Sequence, residues 1–235
     1  MESRYGYVGR TADRAAIDEG LRQHMLRVYN YMTLGLGLTG AVAFAVSTSP
    51  TLMQAIFGTG LFWIVALAPL AVVFFVSFRI NSMSFGAAQT AFWVFAGLMG
   101  LSLASIFLAY TATSIVRVFF ITAATFGALS LFGYTTRRDL TAMGQFLFIG
   151  LIGIIIASVV NLFLQSTGLQ FAVSVIGVLV FAGLTAYDTQ KIKEMYLESD
   201  DGQVAGKKAI MGALTLYLDF INLFLLMLRF MGNRN

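Results

Sequence analysis

Seven stretches of this sequence, residues 28–46, 61–78, 87–110, 116–134, 143–164, 171–188 and 209–231, are each close to membrane length and almost wholly apolar. A spanning helix needs roughly 20 predominantly apolar residues. In lipid every backbone N–H and C=O must be bonded within the spanning structure, so such runs are confined to helices. The chain of 235 residues is 58% hydrophobic and 11% charged, whereas a soluble domain carries about a quarter charged residues. The expectation is an all-α integral membrane protein, with one seven-helix bundle over residues 28–235. The third and fourth runs are parted only by a short polar link around 111–114, so six helices is the rival count.

Residues 1–27 form a charged tail in which Ile17, Leu21, Met25 and Val28 recur at helical spacing. That spacing predicts an amphipathic helix from Asp13 onward. A long charged tail before the first apolar run does not resemble a cleaved signal peptide, so the first span is expected to be retained. With the N-terminus inside, twelve Lys and Arg fall in the tail and the connections on its side, against Arg117, Arg229 and Arg234 on the other. The positive-inside rule then places the N-terminus in the cytoplasm and the C-terminus outside, for seven helices. The basic residues sit in short segments between apolar runs, with no basic patch on a soluble face, so nucleic acid is not an expected partner. With no cysteine in the chain, disulfides, thiol catalysis and cysteine metal sites are excluded.

Small residues inside the runs, among them Gly35, Gly37, Gly40, Gly127 and Ala128, are expected to let helix backbones approach closely. Pro69 predicts a kink in the second span. Trp63 and Trp93 are expected to anchor at the interfaces, and Arg229 to snorkel to the outer one. The only histidine, His24, reads as a surface residue of the tail.

Two acids stand apart from all the others. Asp219 lies deep in the last run, LYLDFINLFLLMLRFM, and Asp188 closes the preceding one. A charged side chain inside a membrane segment is costly and marks a functional site by default. The midpoint between the two positions falls in the obvious turn, residues 198–206. If the sixth helix continues through 191–198 and the seventh begins near Lys207, the two form an antiparallel hairpin. Both carboxylates then lie at equal height, roughly 23 Å below the bend at 1.5 Å per residue. Two close carboxylates in a low dielectric share a proton and titrate in two separated steps. The pair is also a hard-oxygen site for a cation such as calcium. Two aspartates are few ligands, so Asn222, three residues after Asp219, backbone carbonyls and water would have to contribute to weak, transit-type binding. Arg79, at the inner end of the second span, is on the correct side of the membrane to pair with this site.

The run Gly183-Leu184-Thr185-Ala186-Tyr187-Asp188-Thr189-Gln190-Lys191-Ile192, with Leu216-Tyr217-Leu218-Asp219-Phe220-Ile221-Asn222-Leu223-Phe224, resembles the Bax inhibitor-1 family of membrane proteins. So does Thr136-Arg137-Arg138-Asp139-Leu140, and the similarity covers nearly all of residues 20–232. The tail and Tyr29-Asn30-Tyr31-Met32 are similar to bacterial members. The resemblance implies a seven-helix bundle whose C-terminal helix is central and wrapped by the other six. It implies a pH-sensitive calcium leak, with paired aspartates matching Asp188 and Asp219, and an arginine ending the second helix matching Arg79. Arg229 matches the arginine of a terminal Leu-Arg-Phe motif. Some members carry an acid within the second helix that pairs with that arginine. Here residues 66–70 are apolar and contain Pro69, which leaves such a latch without its acid.

The leading expectation is therefore a cation leak gated by the aspartate pair, with calcium as the transported ion and no cofactor. The alternative is a quality-control regulator that acts by binding a membrane protease, a partner that the resemblance also implies. Enzymatic readings fit poorly. Asp219 is preceded by Tyr217-Leu218 rather than Gly-x-Gly, and no proline follows Pro69, so the motifs of intramembrane aspartyl proteases are missing. No lysine lies in 209–231 to hold a retinal, and no histidine lies in a predicted span to activate a serine.

Overall fold

The computed structural model describes residues 3–235, with side chains from Glu19 onward. The amphipathic character expected from Asp13 therefore lies largely outside the described side chains. Nine helices are described: α1 (Ser3–Ser47), α2 (Pro50–Phe57), α3 (Leu61–Arg79), α4 (Phe85–Leu103), α5 (Ile106–Ala109), α6 (Ala112–Thr135), α7 (Thr141–Leu164), α8 (Thr167–Glu194) and α9 (Gly202–Met231). Seven segments are long and apolar enough to cross a membrane, with α4 and α5 together forming the third. This is an all-α integral membrane bundle.

Short polar residues start the helices. Ser49, Ser84, Thr111, Ser166 and Asp201 each accept a hydrogen bond from a backbone N–H in the first turn that follows, which satisfies donors that no helical carbonyl can reach. Thr111 decides the helix count. Tyr110 is extended and Thr111 caps α6, so the third and fourth spans turn within two residues rather than merging. The C-terminal tail braces this turn: Thr111 N–H donates to the Asn233 carbonyl at 3.1 Å and Asn233 N–H to Ser114 Oγ at 2.8 Å. The opposite face carries the α8–α9 turn and is called the hairpin face below; the first face is the C-terminal face.

The last helix is the core. In its most apolar stretch 72% of residues are buried, against 6% in α7. It packs directly on α1, α4, α6 and α8, while α3 lies outside on α4 and α7 outside on α8. The expected wrapping by six helices is thus four neighbours and two outer helices. Tyr217, fully buried, shows how α9 is seated: its hydroxyl meets Thr39 Oγ1 at 2.6 Å, Thr39 donates to the Ala96 carbonyl, and Phe95 packs edge-on at 5.0 Å.

Other details depart from the sequence expectations. Gly37, Gly40 and Gly127 face open space rather than a neighbouring backbone, and Gly37 and Gly127 line a groove of about 690 Å³ between α1 and α6. The close backbone approach is made instead at Gly133, where a Cβ would overlap the Ala186 carbonyl oxygen. Trp93 packs its ring against those of Tyr31 and Phe92. His24 is 7% exposed rather than on the surface, packed by Tyr196 of the α8–α9 turn, because α1 continues before the first apolar run as one helix alongside that turn.

Candidate functional site

The α8–α9 hairpin turns earlier than residues 198–206, with α8 ending at Glu194 and α9 starting at Gly202 behind the Asp201 cap. Its register nevertheless holds. Lys208 Nζ reaches the Met195 carbonyl at 2.9 Å, Gly212 lies against Ile192, and Gly177 lies against Leu226. The same antiparallel pairing brings Asp188 and Asp219 together, carboxyl beside carboxyl on one cleft. A carboxylate has only acceptors, so the two can hydrogen-bond only when one of them carries a proton. Asp219 is 5% exposed and its Oδ2 has no partner.

The pair faces a cleft of about 1070 Å³ between α7, α8 and α9, reached by Leu70 of α3. It exists because α7 packs on α8 and leaves the flank of α9 beside it uncovered. Thr215, Asp219, Asn222, Leu226 and Arg229 of α9 line it at steps of three and four residues, one face of a helix. Phe181, Leu184, Asp188 and Lys191 form the matching stripe on α8. Apolar side chains of α7, among them Phe148 and Ile155, make the far wall. Lys191 lies towards the hairpin face, with its ammonium 5.9 Å from the Tyr187 ring centroid, and Arg229 towards the other end.

Asn222 lines the same cleft. Its Nδ2 donates to the Leu218 carbonyl at 2.8 Å, which leaves its side-chain oxygen for the cavity. Two carboxyls and an amide oxygen are hard ligands of the kind calcium takes, but that ion asks for six to eight. No group of three acids, histidines or cysteines gathers among the described residues. The arrangement suits a hydrated cation in passage rather than a tightly held one.

Arg79 is not brought to the pair. It stands exposed at the last residue of α3, on the hairpin face, and is not among the residues lining the cleft. The side chains that hold the hairpin face together are others. Gln190, buried beside the site, accepts from Leu140 N–H and donates to the Arg138 carbonyl, both at 2.8 Å, and so ties the α6–α7 connection to α8. Lys193 bonds the Tyr134 carbonyl and Lys207 the Asn81 carbonyl. Tyr29, Ser130 and Thr189 link α1, α6 and α8 through hydroxyls at 2.7 and 2.9 Å. Sequence reasoning missed these because each pairs positions about 50 or more residues apart. The polar residues just past Asp188 were the only signal.

Comparison with known proteins assigns the chain. The family model described as "Inhibitor of apoptosis-promoting Bax1" matches residues 21–235. An uncharacterised protein of Rickettsia prowazekii, RP147, is 52% identical over 95% of both chains. The inner membrane protein YbhL of Escherichia coli is 50% identical over 92% of this chain and 93% of its own. A Caulobacter vibrioides protein is 45% identical over 94% and 93%. With the aspartate motifs on α8 and α9 both inside the matched region, the chain belongs to the Bax inhibitor-1 family.

Proposed function

We propose that the protein is a pH-sensitive calcium leak channel of a bacterial inner membrane, with the Asp188–Asp219 pair as its proton switch. The observation that carries this is the pair of neighbouring carboxyls, one deeply buried with an unpartnered oxygen, on a cleft that runs from Lys191 towards Arg229. With one proton shared, the pair bridges α8 to α9 and holds the hairpin closed. Loss of that proton leaves two charges in contact, which repel strongly where water is scarce. The helices then separate or a divalent cation takes the place of the proton, and either opens the path. Conduction therefore rises with pH.

The Lys and Arg distribution supports a cytoplasmic hairpin face and an outer C-terminal face. A bacterial inner membrane matches what the name of the Escherichia coli relative says of that protein. The test is calcium flux into proteoliposomes from about pH 6 to about pH 8, for wild type, Asp188→Asn and Asp219→Asn. Flux that rises with pH in wild type and is flat in both variants is expected. A folded wild type with no flux would sink the channel and favour a role in binding a membrane protease.

A further inference from the structure

The C-terminal face holds a second polar cavity, of about 600 Å³, which shares Ser158, Val159 and Arg229 with the cleft of the aspartates. Two guanidiniums line it, Arg229 from the last turn of α9 and Arg234 from the tail. No Asp or Glu side chain lies among their surroundings. Segments 48–60, 104–114, 161–170 and 230–235, which make up that face, have no Asp or Glu. The described ion pairs, Arg22–Glu19 and Lys208–Asp200, both lie at the other end of the bundle. Asp219, the nearest acid along α9, is ten residues from Arg229, about 15 Å along the helix axis.

Arg234 is held in place rather than trailing. The Asn233 bonds described above fix the residue before it, and Asn235 N–H donates to the Ala109 carbonyl at 3.2 Å. Its guanidinium lies 6.0 Å from the Tyr110 ring centroid. Stacking on a ring uses the face of a guanidinium and leaves its N–H edge to bind. The wall adds neutral donors: Gln165, Gln170, and Asn161, whose Oδ1 is taken by Ser166 N–H so that its amide N–H groups remain. Gln165 is the left-handed C-cap of α7, φ 49°, its N–H bonded to the Asn161 carbonyl.

We propose that this cavity is a phosphate-binding site, whose oxyanion comes from a phospholipid headgroup of the adjoining leaflet or from free phosphate. Planar guanidiniums match the geometry of phosphate oxygens and bond them in pairs. The bound anion supplies the counterion that no Asp or Glu side chain provides there. Because Arg229 lines both cavities, the same anion screens the positive charge that a cation meets before the aspartates.

Binding is tested without measuring flux, so it stands or falls separately from the leak. Delipidated protein in a neutral detergent is titrated with inorganic phosphate and followed by ³¹P line broadening. In parallel, protein reconstituted with phosphatidylglycerol is examined by native mass spectrometry for retained lipid. Either signal in wild type, weakened roughly tenfold by Arg234→Gln and further by Arg229→Gln, supports the site, and the arm that responds identifies the source. Arg234→Gln keeps every backbone bond of the tail, and an unchanged thermal transition checks its fold. The proposal is overturned if wild type gives neither signal, or if folded Arg234→Gln binds as wild type does.

Discussion

Gln190 carries more of the hairpin face than its side chain suggests, because both ends of one buried amide are used on the α6–α7 connection. Gln190→Ala strands a backbone donor and an acceptor, and a loss of about 1–3 kcal/mol is expected in thermal unfolding in detergent. Tyr217→Phe removes one buried hydroxyl but leaves Thr39 bonded to Ala96. The expected cost is smaller, about 1 kcal/mol by the same measurement. On the exposed connection, hydrogen bonds from Thr141, through its hydroxyl and its backbone N–H, hold the carboxyl of Asp139 below the usual range. A lowered carboxyl stabilises above its unfolded pKa and loses that contribution as pH falls through its folded value. Asp139→Asn is therefore expected to lower stability slightly in the neutral region, where the carboxylate contributes, and to leave the acid end little changed, so that the acid limb of thermal unfolding against pH flattens. Residues such as Asp188 and Asp219 could be read from the sequence because burying charge in an apolar run is rare and costly. Gln190 and His24 could not, since an ordinary polar residue near a span end takes its role from partners distant in the chain.

At the scale of helices, the apolar runs located every span, and the two-residue connection at Tyr110 and Thr111 was the least readable. Its turn depends on the tail at Asn233, more than 100 residues later, so no local pattern could announce it. Deletion of residues 233–235 is expected to raise amide hydrogen exchange at Thr111–Ser114 while α9 stays protected. The hairpin register was readable because one bend fixes heights on both arms. Which helices would flank the hairpin was not, and α3 packs outside on α4, which is why Arg79, on the correct side of the membrane, still misses the pair. Contact between α6 and α8 rests on the missing side chain of Gly133 against backbone that cannot step aside. Gly133→Ala is expected to cost about 1–3 kcal/mol and to disturb the Asp188 neighbourhood, seen as altered pH dependence of flux.

For the molecule as a whole, orientation can be settled with single cysteines, since the chain has none of its own. Ser199→Cys in the hairpin turn should react with an impermeant maleimide only after spheroplasts are opened, and Thr59→Cys before. The reverse pattern would turn the proposed topology over. The seven helices are not equally tied to one another. Five form a packed body, α9 and its four neighbours, while α3 leans on α4 and α7 on α8, each with most of its surface turned outward. The wall of the cleft facing the aspartates is thus supported from behind by the surrounding solvent, not by protein. Acyl chains act there as a missing structural part: their length and lateral pressure set how far α7 stands from α9. The same sequence in bilayers of different thickness is then, at its most sensitive point, a slightly different machine, and in detergent the outer helices α3 and α7 are the ones expected to lose their place first.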